Sequence, residues 1–148
     1  MTSTNDDARK ANRQAEQFRR VRDAHQAELA EDYVELIADL IEQTGEARVV
    51  DLSGRLGVTN ATVVNAIQRL QRDGLVTSKP YRSIFLTSKG QELAAASRER
   101  HRIVREFLVT LGIDAATADA DAEGIEHHVS KKTLSAFRRY VALHRPGT

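Results

Sequence analysis

The stretch from Ala47 to Leu86 leaves this chain few ways to fold. It opens with ARVVDLSGRLGVTNATVVNAIQRLQRDGLV, in which two short amphipathic segments are separated by Gly57, Val58 and Thr59. The first segment is expected to begin a helix at Val50 or Asp51 and to end it at Gly57, a residue suited to a left-handed C-terminus. Thr59 is a good N-cap for the second helix. That helix places Val63, Ile67 and Leu70 on one face, with Ala66 beside them, and stops at Gly74. Two short helices joined by a tight glycine-containing turn form a helix-turn-helix. The following LVTSKPYRSIFLTS reads as two strands around a KPYRS tip, where Pro80 suits a turn and not a strand interior. A hairpin directly after a helix-turn-helix is a wing.

The flanking sequence is helical in pattern. Leu29, Tyr33, Leu36, Ile37, Leu40 and Ile41 recur at helical spacing, with Gly45 as the expected C-cap. Before them, residues 1–21 form a charged arm, read as partly disordered or helical, and the only apolar positions up to about residue 26 with any weight are Phe18 and Val21. After the wing, Thr87 or Ser88 opens a long helix to Gly112. Asp114 caps another through ADADAEGIEHHV, and Ser130 caps a last one, KKTLSAFRRYVALH. The expected fold class is therefore mainly α. A winged helix-turn-helix with a two-stranded wing spans residues 22–90, and a helical domain spans 91–148.

Composition removes several alternatives. The chain has no cysteine and its single methionine is Met1, so disulfide frameworks and sulfur-ligated metal sites are excluded. Trp is absent and aromatics make up 5%, so the core must come from Leu, Ile, Val and Ala. The polar N-terminus lacks a signal-peptide h-region, and no apolar run approaches the roughly 20 residues needed to span a bilayer. A cytoplasmic protein without a membrane partner is expected.

The net charge of +1 hides an uneven distribution. From Gln68 to Lys89 the bases are Arg69, Arg72, Lys79, Arg82 and Lys89, against Asp73 alone. From Asp114 to Glu126 there are five acids and no Lys or Arg. Such a split suits one surface for an anionic partner and another for a cation, although charge runs are most often solvated faces.

In a helix-turn-helix the second helix turns its N-terminal residues toward the base edges of the major groove. Here these are Thr59, Asn60, Ala61, Thr62 and Asn65. Asn65 can pair with adenine, and Ala61 and the threonine methyls can touch thymine methyls. Arg69, Lys79 and Arg82, with Arg72, suit phosphate contacts that set register without reading sequence. Double-stranded DNA is the expected partner. A winged helix used for protein contacts is the plainer alternative.

The second half carries more specific chemistry. Glu123 and Glu126 are three apart and His127 four from Glu123, so all three project from one helical face. Asp32 and Glu35 flank the apolar stripe of the first core helix, and His101 lies on the long helix within RERHRIVRE. If these helices meet, four carboxylates and two imidazoles converge. Their repulsion would be offset by divalent cations, and an oxygen-rich, sulfur-free donor set suits Mn²⁺. The competing reading is a solvated acidic helix face and a satisfied buried histidine.

The segments EDYVELIADLIEQTGEARVVDLSGRLGVTNATVVNAIQRL, YRSIFLTSKG, RERH and AEGIEHHVS resemble the manganese-responsive regulators of the DtxR family of metal-dependent repressors, over about residues 22–140. The resemblance implies a metal-binding and dimerisation role for the helical domain. Its ligands would be Asp32, Glu35, His101, Glu123, Glu126 and His127, holding two Mn²⁺ per subunit with Glu123 and Glu126 bridging. The iron-responsive members carry methionine and cysteine where this chain has Asp32 and Glu123, and many carry a further C-terminal domain. Both departures favour manganese. His128 lies outside the family's ligand pattern and is read as a support for the ligands.

The resemblance further implies a homodimer paired through the C-terminal helices on a palindromic operator, with Ile103, Phe107, Leu111, Leu134, Phe137 and Val141 available for its core. The expected function is a Mn²⁺-dependent repressor of metal-uptake genes, not an enzyme and without a small organic substrate. The alternative is a winged-helix regulator answering iron or a small organic ligand. A two-metal hydrolase is disfavoured because no further acid or base and no Gly-rich phosphate loop accompany the cluster.

Overall fold

The structure, a computed structural model, describes residues 3–79 and 83–145. Six helices and two short strands follow in the order α1 (Ser3–Thr44), α2 (Val49–Leu56), α3 (Asn60–Arg72), β1 (Val76–Thr77), β2 (Phe85–Leu86), α4 (Ser88–Thr110), α5 (Ala115–Ile125) and α6 (Lys131–His144).

The first helix is 42 residues long, about 63 Å at the usual rise per residue. From Ser3 on it absorbs the charged arm, so residue 21 falls within an uninterrupted helix. Residues 3–23 are exposed throughout, including Phe18 and Val21. The packed length begins at Glu31 and continues through Tyr33, Val34, Ile37 and Leu40. Leu29, expected on the buried stripe, is instead 54% exposed. It sits at the edge of the buried face, beside Ala30, which packs partly buried against the core.

Local chemistry explains the helix-turn-helix. Asp51 accepts from the Arg48 backbone N–H at 3.2 Å, closing the start of α2. Gly57 ends it at φ 67°, the left-handed conformation that glycine adopts without a Cβ penalty. The Thr59 hydroxyl accepts from the Thr62 N–H at 3.2 Å and starts α3. Leu52 of α2 and Val63, Ile67 and Leu70 of α3 then meet Tyr33, Val34, Ile37 and Leu40 in one apolar core.

The wing pairs Val76 with Leu86 and Thr77 with Phe85 in antiparallel register, and Ala47 bridges Ile84 beside it. The wing-tip residues Pro80 and Arg82 lie outside the described residues. Thr87 joins wing to α4, donating to the Gly74 carbonyl at 2.6 Å and accepting from the Gly90 N–H at 3.1 Å. Gly90 allows this close approach, since a Cβ there would lie 2.1 Å from the Leu75 carbonyl oxygen.

The fourth helix serves two cores. Ala94 belongs to the core around α1 and α3, whereas Ile103 and Val104 belong to a second one with Ala122 and Leu134. Residue 90 lies in its first turn, so the helix crosses from one module into the other without a break. Ile103, Leu134 and Val141 are buried within the chain itself, and Phe107 stacks on Phe137 with ring centroids 4.0 Å apart. These residues are therefore largely used up inside the subunit. The apolar surface left on this half is Val109, Leu111, Ile113 and Leu143. Among the described residues no helix is long and apolar enough to cross a membrane.

Candidate metal centre and nucleic-acid interface

Three elements meet between the two cores. Asp32 and Glu35 come from α1 just where its packed length starts, and His101 comes from α4 between Ala94 and Ile103. Glu123 lies in the last turn of α5. That helix closes at Ile125, four residues earlier than the sequence pattern suggests, with Glu126 as its C-cap. His127 thus sits in the closing turn and swings away from Glu123 toward α1.

Glu126 is the centre of the group. It is 1% exposed, and among the described residues neither of its oxygens accepts a hydrogen bond. Its Oε2 faces His101 Nδ1 at 2.9 Å, and its Oε1 faces His127 Nε2 at 3.3 Å. Two donor sets flank it. His101, Glu123 and Glu126 offer ligand atoms all within 4.8 Å of one another, and so do Glu28, Asp32 and His127. His127 Nε2 is 3.3 Å from Asp32 Oδ1, and His101 Nδ1 is 3.6 Å from Glu123 Oε1.

The electrostatics are those of a carboxylate cluster that Arg100 and the imidazoles offset only in part. Burial, reinforced by Glu123, Glu35 and Asp32 and opposed by Arg100, pushes the Glu126 carboxyl up to about 8. Burial also raises Asp32, with His127 opposing and Glu28, Glu123 and Glu31 adding to the rise. Glu35 is raised by burial, Ser97 pulling the other way and Glu123 and Asp32 adding. A divalent cation supplies what these groups lack, and the donors are oxygen and imidazole only. The residues present fit such an ion.

Five of the six residues singled out in the sequence fall in these two donor sets, and Glu35 is linked to them only through its charge, felt by Glu126 and feeling Glu123 and Asp32. Three participants were not singled out. Glu31, only 9% exposed, accepts from His127 Nδ1 at 2.5 Å and pairs with Arg100 of α4 at 2.5 Å. Glu28 joins the α1 side. Asp119 faces His101 Nε2 at 3.5 Å while held by Arg105 at 2.6 Å. The signal for Glu28 and Glu31 was their spacing of four and one residues from Asp32, which places them on or beside one helical face. Nothing in the sequence marked Arg100 as the partner of Glu31.

The second surface lies on α3 and the wing. Thr59, Asn60, Ala61, Thr62, Asn65 and Arg69 are all exposed on the side of α3 opposite Val63, Ile67 and Leu70. Lys79 is exposed at the wing, and Arg82 lies outside the described residues. Thr59 and Thr62 also hold each other, their hydroxyls 3.0 Å apart, so part of their capacity is spent on the cap. Lys89 is directed to the Asp73 carbonyl at 2.9 Å and so braces the end of α3.

A winged helix-turn-helix whose supporting helices also wall a buried carboxylate–imidazole pocket defines a class, that of DNA-binding proteins whose reading head is joined to a cation site. The comparisons agree with it. Residues 26–84 match the iron dependent repressor N-terminal DNA binding domain, and residues 87–144 match the iron dependent repressor metal binding and dimerisation domain. The transcriptional regulator MntR of Escherichia coli O6:H1 is 54% identical over 129 residues, covering 87% of this chain and 83% of that protein. The HTH-type transcriptional regulator MntR of Listeria welshimeri is 40% identical over 111 residues, covering 75% of this chain and 78% of its own. A manganese-dependent transcriptional repressor solved in complex with manganese superposes with a TM-score of 0.68 at 30% identity over 76% of this chain. This chain spans about half, 52%, of that structure. The chain belongs to the DtxR family of metal-dependent repressors, in its MntR group.

Proposed function

We propose that this chain is a Mn²⁺-activated repressor that binds operator DNA as a homodimer, with Asp32, Glu35, His101, Glu123, Glu126 and His127 holding two ions per subunit. The observation that carries the reading is Glu126, a buried carboxylate with no hydrogen bond to either oxygen, facing one imidazole on each side. A carboxylate so placed is costly alone and well suited to lie between two cation positions. A hard dication with borderline tolerance for imidazole meets this donor set better than a thiophilic metal, and the names of the similar proteins point the same way.

The ion supplies positive charge at the junction of α1, α4 and the end of α5. The protein does the rest. Asp32 and Glu35 ride on the helix that shares its apolar core with α3, and His101 rides on the helix that continues into the second core. Mutual repulsion of these carboxylates loosens that junction when no cation is present, and its neutralisation holds the reading head in one orientation. Ordering both heads of a dimer before they meet two half-sites of a palindrome lowers the conformational cost of binding. By linkage, operator DNA tightens Mn²⁺ binding by the same factor.

On the DNA side, Asn60, Ala61 and Asn65 are the base-facing candidates, with Arg69, Lys79 and Arg82 toward phosphates. The dimer surface suggested by the exposed apolar residues is Val109, Leu111 and Ile113, at the end of α4 and the turn beyond it. The test is operator affinity with and without Mn²⁺ at fixed ionic strength, since phosphate contacts alone respond steeply to salt. Equal affinity in both conditions overturns the reading.

A further inference from the structure

A second set of donors lies where α1 leaves the body of the molecule. His25 and Glu28 are one turn apart on α1, and both face His128 of the turn after α5. His128 Nε2 lies 3.3 Å from Glu28 Oε2, and His25 Nδ1 lies 3.7 Å from the same oxygen. The two rings stand edge to face with centroids 6.3 Å apart. One carboxylate oxygen is thus approached by two imidazoles from different elements, at separations longer than a well-formed hydrogen bond.

We propose that His25, Glu28 and His128 form a third divalent-cation position at the outer edge of the buried pocket, with Glu28 standing between the two, and suited to Zn²⁺ or a similar imidazole-preferring dication. Donors that share an ion at bond lengths of about 2.1 Å stand roughly 3–3.5 Å apart; Glu28 and His128 meet this at 3.3 Å, and His25 stands slightly beyond it at 3.7 Å. His25 has 67% of its side chain exposed, so a small rotation that brings both rings onto one ion meets little resistance. His128 is 47% exposed, leaving room for water to complete the coordination. Two imidazoles and one carboxylate select differently from the pocket, where carboxylates outnumber imidazoles by two to one, because imidazole-rich sites favour the later first-row metals.

Position gives this site a consequence. Residues 3–23 of α1 are exposed along their full length, and His25 stands just after them. An ion shared with His128 ties that free helical segment to the turn that carries His127. Zinc and manganese would then act on one molecule at two places, the first on the direction of the outer helix and the second on the reading head.

Zinc bound per chain, measured by equilibrium dialysis and elemental analysis over a range of free Zn²⁺, tests the proposal on the intact protein. His25→Ala and His128→Ala are each expected to bind one equivalent fewer than wild type, and His25→Ala keeps its Mn²⁺-dependent operator binding. Ring signals of His25 and His128 in nuclear magnetic resonance are expected to shift together with that equivalent. Identical zinc binding by wild type and His25→Ala overturns the proposal. The difference between the two proteins is the readout, so a pocket that holds one ion instead of two changes the totals and leaves this result intact.

Discussion

His127 Nδ1 lies 2.5 Å from Glu31 Oε2, and the other oxygen of Glu31 lies 2.5 Å from an Arg100 nitrogen. A hydrogen bond from Nδ1 to a carboxylate sets the tautomer, so Nε2 keeps its lone pair free on the pocket side, 3.3 Å from both Asp32 and Glu126. Arg100 fixes Glu31 in turn and links α1 to α4. The imidazole is therefore aimed by a chain of charge-assisted contacts that reaches across two helices.

Loss of that aim has a measurable cost. Glu31→Ala is expected to weaken Mn²⁺ binding by roughly 10–100-fold, the usual effect of removing a partner that orients a metal-bound histidine. Glu31→Gln, which can still accept from Nδ1, is expected to recover part of the loss. Mn²⁺ titration followed by electron paramagnetic resonance measures both. Wild-type affinity in Glu31→Ala would remove Glu31 from the site's working parts.

The pH dependence of metal-free stability follows from Glu126. Its carboxyl is raised on folding from an ordinary 4.5 to about 8, so in that window the folded chain holds a proton that the unfolded chain has lost. Folding stability contributed by this proton is complete below the ordinary value and is lost as pH rises through about 8. Asp32 and Glu35, both raised, act in the same direction. Denaturant unfolding of the metal-free protein is expected to give lower stability at pH 8 than at pH 6. Saturating Mn²⁺ should reverse that order, because binding displaces protons and tightens with pH.

Glu126→Gln separates stability from function. It removes a buried charge without a hydrogen bond, so the metal-free protein is expected to gain on the order of 1–3 kcal/mol at pH 8. The same change should abolish Mn²⁺-dependent operator binding. Chemical denaturation and a DNA-binding assay on one preparation check both halves.

On the DNA surface two substitutions should differ in kind. Lys79→Ala is expected to weaken binding to all sequences and reduce the salt slope by about one ion. Asn65→Ala should cost about 1–3 kcal/mol on the preferred site and relax preference at one base pair. Binding isotherms on matched and mismatched duplexes at several salt concentrations distinguish them.

Apolar positions of the second half should also divide in two. Leu134→Ala empties part of a buried core and is expected to cost about 2–5 kcal/mol of stability. Leu111→Glu, at a residue 50% exposed, should leave the fold intact and shift the protein to monomer. Analytical ultracentrifugation beside thermal unfolding reads both.

The helix-turn-helix was legible because its signals are local. Gly57, Thr59 and the spacing of Val63, Ile67 and Leu70 each act within a few residues, and the structure places each as the pattern suggests. The pocket was half legible, since Glu123, Glu126 and Asp32 declare themselves by spacing on their own helices. The uninterrupted run of α1 through the charged arm was not, because alternating charges and two isolated apolar residues carry little periodic signal. The apolar stripe of the second half could not be divided from sequence, because burial inside a subunit, as at Ile103 and Leu134, and burial between subunits look alike in a hydrophobic pattern.

Order along the chain thus determined the helix-turn-helix with its caps and turn, the presence of the later helices, and that hard oxygen and imidazole donors would do any metal chemistry, for cysteine is absent. Only the packed structure decided that Glu126 lies between His101 and His127, that Glu31 aims His127 through a partner 69 residues away in Arg100, and that Glu28 shares its oxygen with two imidazoles. The physical reason is one of range. Caps, turns and helical faces are set by neighbours a few residues apart, whereas a charge cluster depends on how three helices cross, and that is fixed by the two cores on either side of it.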